Sequence, residues 1–150
     1  MCVQRRKGVI FLKITHKLIA ISFLLFVSAS IFFHAPEKQV LRYFHANYEE
    51  LNQQAEAYMA GAPLSWNENQ IQSVNAWLGQ HEMIEYILST PGGSYHGFYY
   101  SPDDVPLAFQ NIDTPLTQTE PNCWTWHTEG DNRGKTTKIK DHWYLFQATF

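Results

Sequence analysis

The sequence predicts an α+β protein in which an N-terminal transmembrane helix is followed by an αα-hairpin packed on a small antiparallel β-sheet. Three observations indicate this class. A charge-free apolar run lies near the N-terminus, two amphipathic helical patterns follow it, and short aromatic segments separated by turn residues continue to the end of the chain. Helices followed by a run of strands are typical of an antiparallel sheet with helices on one face.

The apolar run extends from Leu18 to Phe33, sixteen residues without a charge. At about 1.5 Å per residue a helix of this length covers roughly 24 Å, against a hydrocarbon core about 30 Å thick. Lys17 can reach the headgroups at one end, and His34 and Ala35 can extend the other end. We therefore predict a transmembrane helix over residues 18–35, in contact with the lipid bilayer through Leu18 to Phe33.

Charge gives this helix a direction. Five basic residues and no acidic residue precede Pro36, and the remainder has fourteen acidic against six basic residues, so +5 and −8 sum to −3. Because basic flanks stay in the cytoplasm, we predict a basic cytoplasmic N-terminus over 1–17, a signal anchor over 18–35 in the cytoplasmic membrane, and an extracytoplasmic (periplasmic or extracellular) domain over 37–150. The acidic balance disfavours nucleic acid as a partner.

A cleaved signal peptide is the alternative to an anchor. Val27-Ser28-Ala29 has the small residues that a signal peptidase accepts, which would place the cut after Ala29 and release a secreted protein. The apolar run continues past this point to Phe33, which favours the anchor. Both interpretations place the domain on the same side of the membrane.

The first sixty residues also resemble the plan of type IV pilins and pseudopilins. A basic N-terminus, Gly8 followed by the apolar Val9, and an apolar helix that continues into the next domain carry this resemblance. It implies processing at Gly8 and a pilin-like or pseudopilin-like envelope subunit. The processing motif of that family places an acid five residues after the cut, where this chain has Lys13.

The first helix of the domain is predicted from Glu37 to Gly61. Its apolar residues recur every three or four positions: Leu41, Phe44, Tyr48, Leu51, Ala55 and Tyr58. Gly61 and Pro63 are typical of a helix end. The stripe can pack on a sheet, or it can form a short coiled coil that makes a homodimer or binds a partner protein.

A second helix is predicted after it. Ser65-Trp66-Asn67-Glu68 has the capping-box pattern, and Gly79 is a suitable stop. Its apolar face would consist of Ile71, Val74, Trp77 and Leu78. The two helices together form the predicted αα-hairpin.

The strands follow Gly79. Met83 to Leu88 and Tyr95 to Tyr100 flank the turn sequence STPGGS and predict a β-hairpin, with a helix as the competing structure for the first segment. Val105 to Gln110 is expected to be a short edge strand because of Pro106. Residues 111–122 are expected to form a loop.

Two further strands are predicted at Cys123 to Thr128 and at Thr136 to Phe150, the latter broken near Asp141. The sequence EGDNRGK between them is typical of a hairpin loop. Cys123 is expected to be buried, since cysteine is among the most buried residue types.

Aromatic residues are the candidate binding groups. Trp124 and Trp126 are two positions apart, so they share a face of a strand. Together with Trp143 and Tyr99 they could bind a sugar ring or a partner protein, because such side chains combine rigid apolar area with a polar tip. Core packing is the alternative role.

His96 with Asp103 or Asp104 could perform general acid–base chemistry, which makes a small envelope hydrolase the alternative function. We favour a turn role for the two aspartates, since this residue type bonds its own backbone in turns. No nucleophile motif accompanies His96.

His127, Glu129 and Asp131 alternate and could ligate a metal, but a solvated hairpin end is favoured. No cofactor and no metal are predicted. The preferred function is therefore a single-pass, membrane-anchored extracytoplasmic domain that acts as a binding or interaction module and not as an enzyme.

Overall fold

The computed structural model describes residues 35–66 and 70–150 of the chain. Within these ranges it contains one α-helix and seven β-strands, and Pro36–Phe150 forms one structural unit. The elements are α1 (Pro36–Met59), β1 (Ser73–Trp77), β2 (Met83–Ser89), β3 (Ser94–Tyr100), β4 (Thr117–Glu120), β5 (Cys123–His127), β6 (Arg133–Lys140) and β7 (Trp143–Thr149).

All seven strands belong to one antiparallel sheet with the order β1-β2-β3-β7-β6-β5-β4. The C-terminal strand β7 lies at the centre, where Leu145 faces Phe98 of β3 on one side and Thr137 of β6 on the other. The two edge strands are β1 and β4. The chain therefore builds one half of the sheet up to β3 and the other half from β4 onwards, and β7 joins them.

Local sequence fixes both ends of α1. Proline at the first position has a backbone angle that suits a helix, and Glu37 in the first turn complements the helix dipole. At the other end Gly61 has φ +95°, the Gly61 N–H donates to the Tyr58 carbonyl and the Ala62 N–H donates to the Ala57 carbonyl, both at 2.9 Å. This is a Schellman motif, which satisfies carbonyls that the helix leaves unpaired.

The helix α1 packs across β2, β3 and β7 on one side of the sheet, the helix face. The Phe44 ring lies 5.3 Å from the rings of both Phe98 and Trp143. The buried side chains of this layer are Val40, Phe44, Leu51 and Ala55 of the helix and Tyr86, Phe98, Trp143 and Leu145 of the sheet. The apolar stripe of α1 is thus covered by the sheet of the same chain.

The opposite side of the sheet, the loop face, is covered by the segment 101–116. Leu107, Ala108 and Phe109 of this segment are buried against it. The Tyr99 hydroxyl holds this segment on the sheet. It accepts a hydrogen bond from the Leu107 N–H at 2.7 Å and donates one to the Leu107 carbonyl at 3.1 Å. An irregular segment can cross a core in this way because its backbone groups find partners.

A buried carboxylate fastens the same segment to β2. Glu85 accepts hydrogen bonds from the Trp77 indole N–H at 3.1 Å and from the Gln110 N–H at 2.9 Å. Burial raises the pKa of Glu85, although these hydrogen bonds oppose the rise. Gln110 has φ +54°, a conformation that the bond to Glu85 helps to hold.

The fold class predicted from the sequence is wrong as stated, because it required a transmembrane helix and an αα-hairpin. In the described part of the chain there is one helix beside a seven-stranded sheet. Among residues 35–66 and 70–150 no helix combines the length and the apolar character needed to cross a membrane. The predicted apolar span, residues 18–33, lies outside the described residues, and the descriptions as transmembrane helix and signal anchor are withdrawn.

The predicted second helix is replaced by the edge strand β1, which pairs with β2 from Val74 opposite Tyr86 to Trp77 opposite Met83. Residues 83–87 are buried without alternation, so β2 is covered on both faces and needs a strand on each side for its backbone groups. Leu78, assigned to the apolar helix face, is 79% exposed. Of the proposed capping pattern, residues 67 and 68 lie outside the described residues.

The strand predictions had mixed outcomes. The hairpin of Met83–Ser89 and Ser94–Tyr100 is present, and the helix alternative for its first segment is wrong. No strand forms over residues 105–110, where Phe109–Asn111 makes a single 3₁₀ turn instead. The predicted loop 111–122 contains β4, which the sequence did not indicate because TQTE has no apolar residue and all four side chains are exposed. Cys123 is buried, as expected.

Candidate functional site

The structure places the four aromatic residues predicted to bind a ligand on two opposite faces. Trp143 is fully buried beneath α1, and its indole N–H donates to the Asn52 side chain at 3.0 Å. Tyr99 is buried on the loop face, where its ring stacks on Tyr144 at 5.1 Å. These two side chains contribute to the cores on either side of the sheet.

Trp124 and Trp126 do share a strand face, as their spacing predicted, but it is the loop face. Trp126 is buried and Trp124 is half-buried, with its ring 6.2 Å from that of Tyr144. The Trp126 indole lies over Gly134 so closely that a Cβ atom there would overlap it. The four aromatic residues therefore form no common exposed surface.

The groups of the predicted acid–base site are not brought together. His96 pairs with Ser89 and Gln147 at the start of β3, whereas Asp103 follows the far end of that strand and contacts His81 at 2.7 Å. His96 is buried, its Nδ1 has no hydrogen-bond partner, and burial lowers its pKa, with Glu37 opposing. A general base would need a partner at its second nitrogen and access to a substrate.

Asp104 ties its turn to the last two strands. Its carboxylate accepts hydrogen bonds from Lys138 Nζ at 2.5 Å, from the His142 N–H at 2.9 Å and from the Tyr144 hydroxyl at 3.1 Å. Partial burial raises the pKa of Asp104, but these hydrogen bonds outweigh it, and the net pKa lies below its ordinary value. Asp104 thus has a structural role, but its carboxylate bonds residues 138, 142 and 144 and not, as the sequence predicts, the backbone of its own turn.

The hairpin end with His127, Glu129 and Asp131 is exposed. Nowhere in residues 35–66 and 70–150 do three or more His, Cys, Asp or Glu side chains converge closely enough to hold a metal ion. The described residues thus offer no preformed metal centre.

A polar surface that the sequence did not indicate lies on the helix face beyond α1. Directly paired residues of antiparallel strands point to the same side. Alternation along β7 puts Gln147 on the side of Trp143 and Leu145, which α1 covers. Strand pairing then extends this side from Gln147 to Lys135, Thr125 and Thr117, and in a second row from Thr149 to Arg133 and His127.

This surface is concave, with a volume of about 600 Å³. We call it the open face and define it by six of its lining residues, Thr117, Thr125, His127, Arg133, Lys135 and Gln147; Pro115, Trp126, Gly134 and Thr149 also line the concavity. Of the six, Thr125 is half-buried and the other five are exposed. The concavity exists because α1 packs on β2, β3 and β7 and does not extend over the rest of the sheet.

The open face presents hydrogen-bond donors and positive charge. No ion pair is described for Arg133 or Lys135, and no acidic residue lines the concavity. Lys138 on the same strand differs, because it points to the loop face and is paired with Asp104 and Asp141. Hydroxyl, amide, guanidinium and ammonium groups together suit a polar, negatively charged ligand.

One sequence signal could have found this surface. Strand β6, RGKTTKIK, contains four of the six basic residues that follow Pro36. Arg133 and Lys135 are two positions apart and therefore share a face. Only the strand order shows on which side of the sheet Arg133 and Lys135 lie, and whether the helix covers that side.

A second, smaller concavity of about 310 Å³ lies where α1 ends beside β1. Its lining is mostly apolar and includes the exposed side chains of Met59 and Leu78. Glu82 is the one charged residue in this lining, which offers fewer polar side chains to a ligand than the open face does. The open face is therefore the better-defined candidate site.

Neither a protein-family model, nor a curated protein, nor a solved structure matches the chain. The geometry of the site is therefore what indicates a function.

Proposed function

We propose that the unit Pro36–Phe150 is a binding module whose ligand occupies the open face. The observation that carries this proposal is a concavity of about 600 Å³ with polar, unpaired side chains on an otherwise well-covered sheet. Helix and strand side chains close the rest of the helix face, and the segment 101–116 closes the loop face. Clefts with a few convergent polar groups are the usual sites of ligand binding.

Binding is favoured over catalysis because the candidate catalytic groups serve the fold. His96 is buried without a partner, Asp103 is paired with His81 at the surface, and Asp104 is held by three hydrogen bonds. An acid–base pair must meet within hydrogen-bond distance of one substrate. The separation of His96 from both aspartates disfavours the hydrolase alternative.

The location of the domain outside the cytoplasmic membrane stays a prediction that rests on the basic residues and the apolar, signal-like run before Pro36. A homodimer or partner contact through α1 also stays a prediction. The sheet of the same chain already covers the buried side of α1, so such a contact would have to use its exposed side.

The proposal is tested by blocking the concavity. Thr117 is exposed and lines the open face, while Gln118 is the next residue of β4, also exposed, and points to the other side of the sheet. Thr117→Trp places a large ring in the concavity, and Gln118→Trp is its matched control. The labelled full chain is applied to immobilised probes: an acidic peptide of alternating Glu and Thr, its Gln and Thr counterpart, a neutral chito-oligosaccharide and an anionic oligogalacturonate.

We expect at least one probe to bind the wild type and the Gln118→Trp variant, and to lose at least about tenfold in affinity with Thr117→Trp because the ring occupies its place. Binding that is equal in both variants would exclude the open face as the site. If no probe of the four classes binds the wild-type chain, the proposed function is rejected.

A further inference from the structure

We infer that the ligand of the open face is an acidic polypeptide segment in extended conformation, held by Arg133 and Lys135. This inference rests on the proposed function, since it names the ligand class of the same site. Three observations support it: the charge of the open face, the spacing of its two cations, and the kinds of side chain around them.

Charge is the first observation. The side chains of Arg133 and Lys135 are exposed, have no described ion pair and lie beside no acidic lining residue. The arginine fork can bind a carboxylate through two parallel hydrogen bonds, and the lysine supplies a second point charge. Carboxylates are therefore the groups that complement this part of the concavity.

Spacing is the second observation. Arg133 and Lys135 are alternate residues of β6, so they point to the same side about 6.7 Å apart. An extended peptide repeats its own same-side groups at the same distance, because its geometry is also that of a strand. Acidic residues at positions i and i+2 of such a peptide match the two cations without distortion of either chain.

The neighbouring side chains are the third observation. Thr117, Thr125 and Gln147 line the concavity and offer hydroxyl and amide groups. A peptide that lies in the concavity must find partners for its backbone N–H and C=O groups, and these side chains provide both donors and acceptors. The site thus pairs charge for the peptide side chains with hydrogen bonds for the peptide backbone.

A sugar ligand fits this surface less well. Sugar rings bind by stacking on aromatic side chains, and of the side chains that strand pairing places on the open face only the His127 imidazole is aromatic. Trp126 also lines the concavity, but strand pairing turns its side chain to the loop face, where the ring is buried over Gly134.

The N-terminal part of the chain does not match the site in charge. Residues 1–36 contain five basic residues and no acidic residue, so they would be repelled by Arg133 and Lys135. Residues 37–150 carry −8, and four of their six basic residues are on β6, so the rest of the domain has fourteen acidic against two basic residues. An acidic segment is therefore attracted to the open face and repelled elsewhere, which fixes where it binds.

The experiment uses the full chain and the alternating Glu and Thr peptide, followed by fluorescence anisotropy. We expect Arg133→Gln and Lys135→Gln each to weaken binding by roughly tenfold, the effect of losing one charge-assisted hydrogen-bonded pair. Arg133→Lys keeps the charge but loses the fork, so an intermediate effect is expected. Added salt should weaken binding of the wild type more than that of either Gln variant.

Lys140→Gln is the matched control, because it removes the same charge from the same strand. Its ammonium lies over the Tyr48 ring, 3.2 Å from the centroid, and does not line the concavity. We expect this variant to bind within about twofold of the wild type. Thermal unfolding of each variant shows that it is folded, and these side chains are exposed, so the substitutions leave the core unchanged.

Several results would overturn the inference. If the Gln and Thr peptide binds as well as the Glu and Thr peptide, the ligand is not acidic. Equal affinity of the Arg133→Gln, Lys135→Gln and control variants would reject the acidic ligand as well. Binding of the oligogalacturonate in place of the peptide assigns the site to an anionic sugar. A dimer of the full chain that Arg133→Gln dissociates makes a second copy the occupant. If the neutral oligosaccharide binds the wild type and Thr117→Trp abolishes that binding, the proposed binding function stands and only the acidic ligand is rejected.

Discussion

The buried imidazole of His96 shows how a single residue links the fold to pH. Its Nδ1 is buried without a hydrogen-bond partner, so a proton there would place an unpaired charge in the core. Burial lowers the pKa of His96, and Glu37 of α1 opposes this only in part. The stability contributed by the neutral ring is present above the pKa of an unfolded histidine, about 6.5, and is lost as the pH falls through the lower folded value.

His96→Gln removes this titration while keeping a polar side chain of similar reach. We expect the free energy of unfolding of the wild type to fall between about pH 7.5 and about pH 5 by more than that of the variant. Denaturant unfolding at a series of pH values measures the difference. Parallel pH profiles for the two proteins would show that His96 does not titrate in this way.

A single contact explains why residue 134 is a glycine. A Cβ atom at this position would overlap the Trp126 indole, so Gly134→Ala must displace the ring. We expect a loss of about 1–3 kcal/mol in the free energy of unfolding, the usual cost of overpacking. In a Trp126→Leu background the same change should cost less than about 1 kcal/mol, because the clash is gone. An equal cost in both backgrounds would place the strain elsewhere.

At the scale of elements, the turn after β3 is held by Asp104 and not by its neighbour. Asp104→Ala removes hydrogen bonds from Lys138, His142 and Tyr144, so we expect a loss of about 2–3 kcal/mol in the free energy of unfolding. Asp103→Ala is the control, because its contact with His81 is exposed, and its effect should stay within about 0.5 kcal/mol. Equal losses in the two variants would contradict the assigned role.

The stability of the same turn also depends on pH. Asp104 contributes through its charged form, whereas His96 contributes through its neutral form. Since the folded pKa of Asp104 is lowered, its contribution is present above the pKa of an unfolded aspartate, about 3.9, and is lost as the pH falls through the folded value. The stability difference between the wild type and Asp104→Asn should therefore shrink in acid. A difference that is constant down to about pH 2 would show that the charge of Asp104 is not what holds the turn.

The elements that the sequence predicted well are those with a strong local signal. The helix α1 has a regular stripe and a glycine at its end, and the hairpin of β2 and β3 flanks a clear turn. The sequence wrongly predicts a helix in place of the strand β1, because Ile71, Val74 and Leu78 fit helical spacing. Its true structure is decided by β2, whose outer edge needs a partner. The strand β4 has no apolar pattern at all.

At the scale of the whole molecule, the candidate site depends on contacts that no local pattern encodes. The open face combines residues of β4, β5, β6 and β7, which meet only because β7 inserts between β3 and β6. It is open only because α1 covers the other half of the same side. The sequence showed the basic strand and the aromatic pairs, but it could not show that the aromatic pairs are covered while the basic pair is exposed.

The same organisation separates charge across the domain. The basic residues of β6 lie on both sides of the sheet: Lys138 is neutralised by Asp104 and Asp141, while Arg133 and Lys135 stay available on the open face. A domain that is otherwise acidic thus keeps one positive concavity. This distribution of charge favours both the open face as the site and an acidic segment as its ligand.

We expect the ligand of this domain to bind on the open face of the sheet and not on its aromatic loop face. The most direct measurement is a titration of the full, isotope-labelled chain with the alternating Glu and Thr peptide, followed through the chemical shifts of its backbone amides and indole N–H groups. We expect the largest shifts at Thr125, Arg133, Lys135 and Gln147, and small ones at the Trp124 and Trp126 indoles. Shifts centred on those two indoles, or none at all, would contradict this expectation.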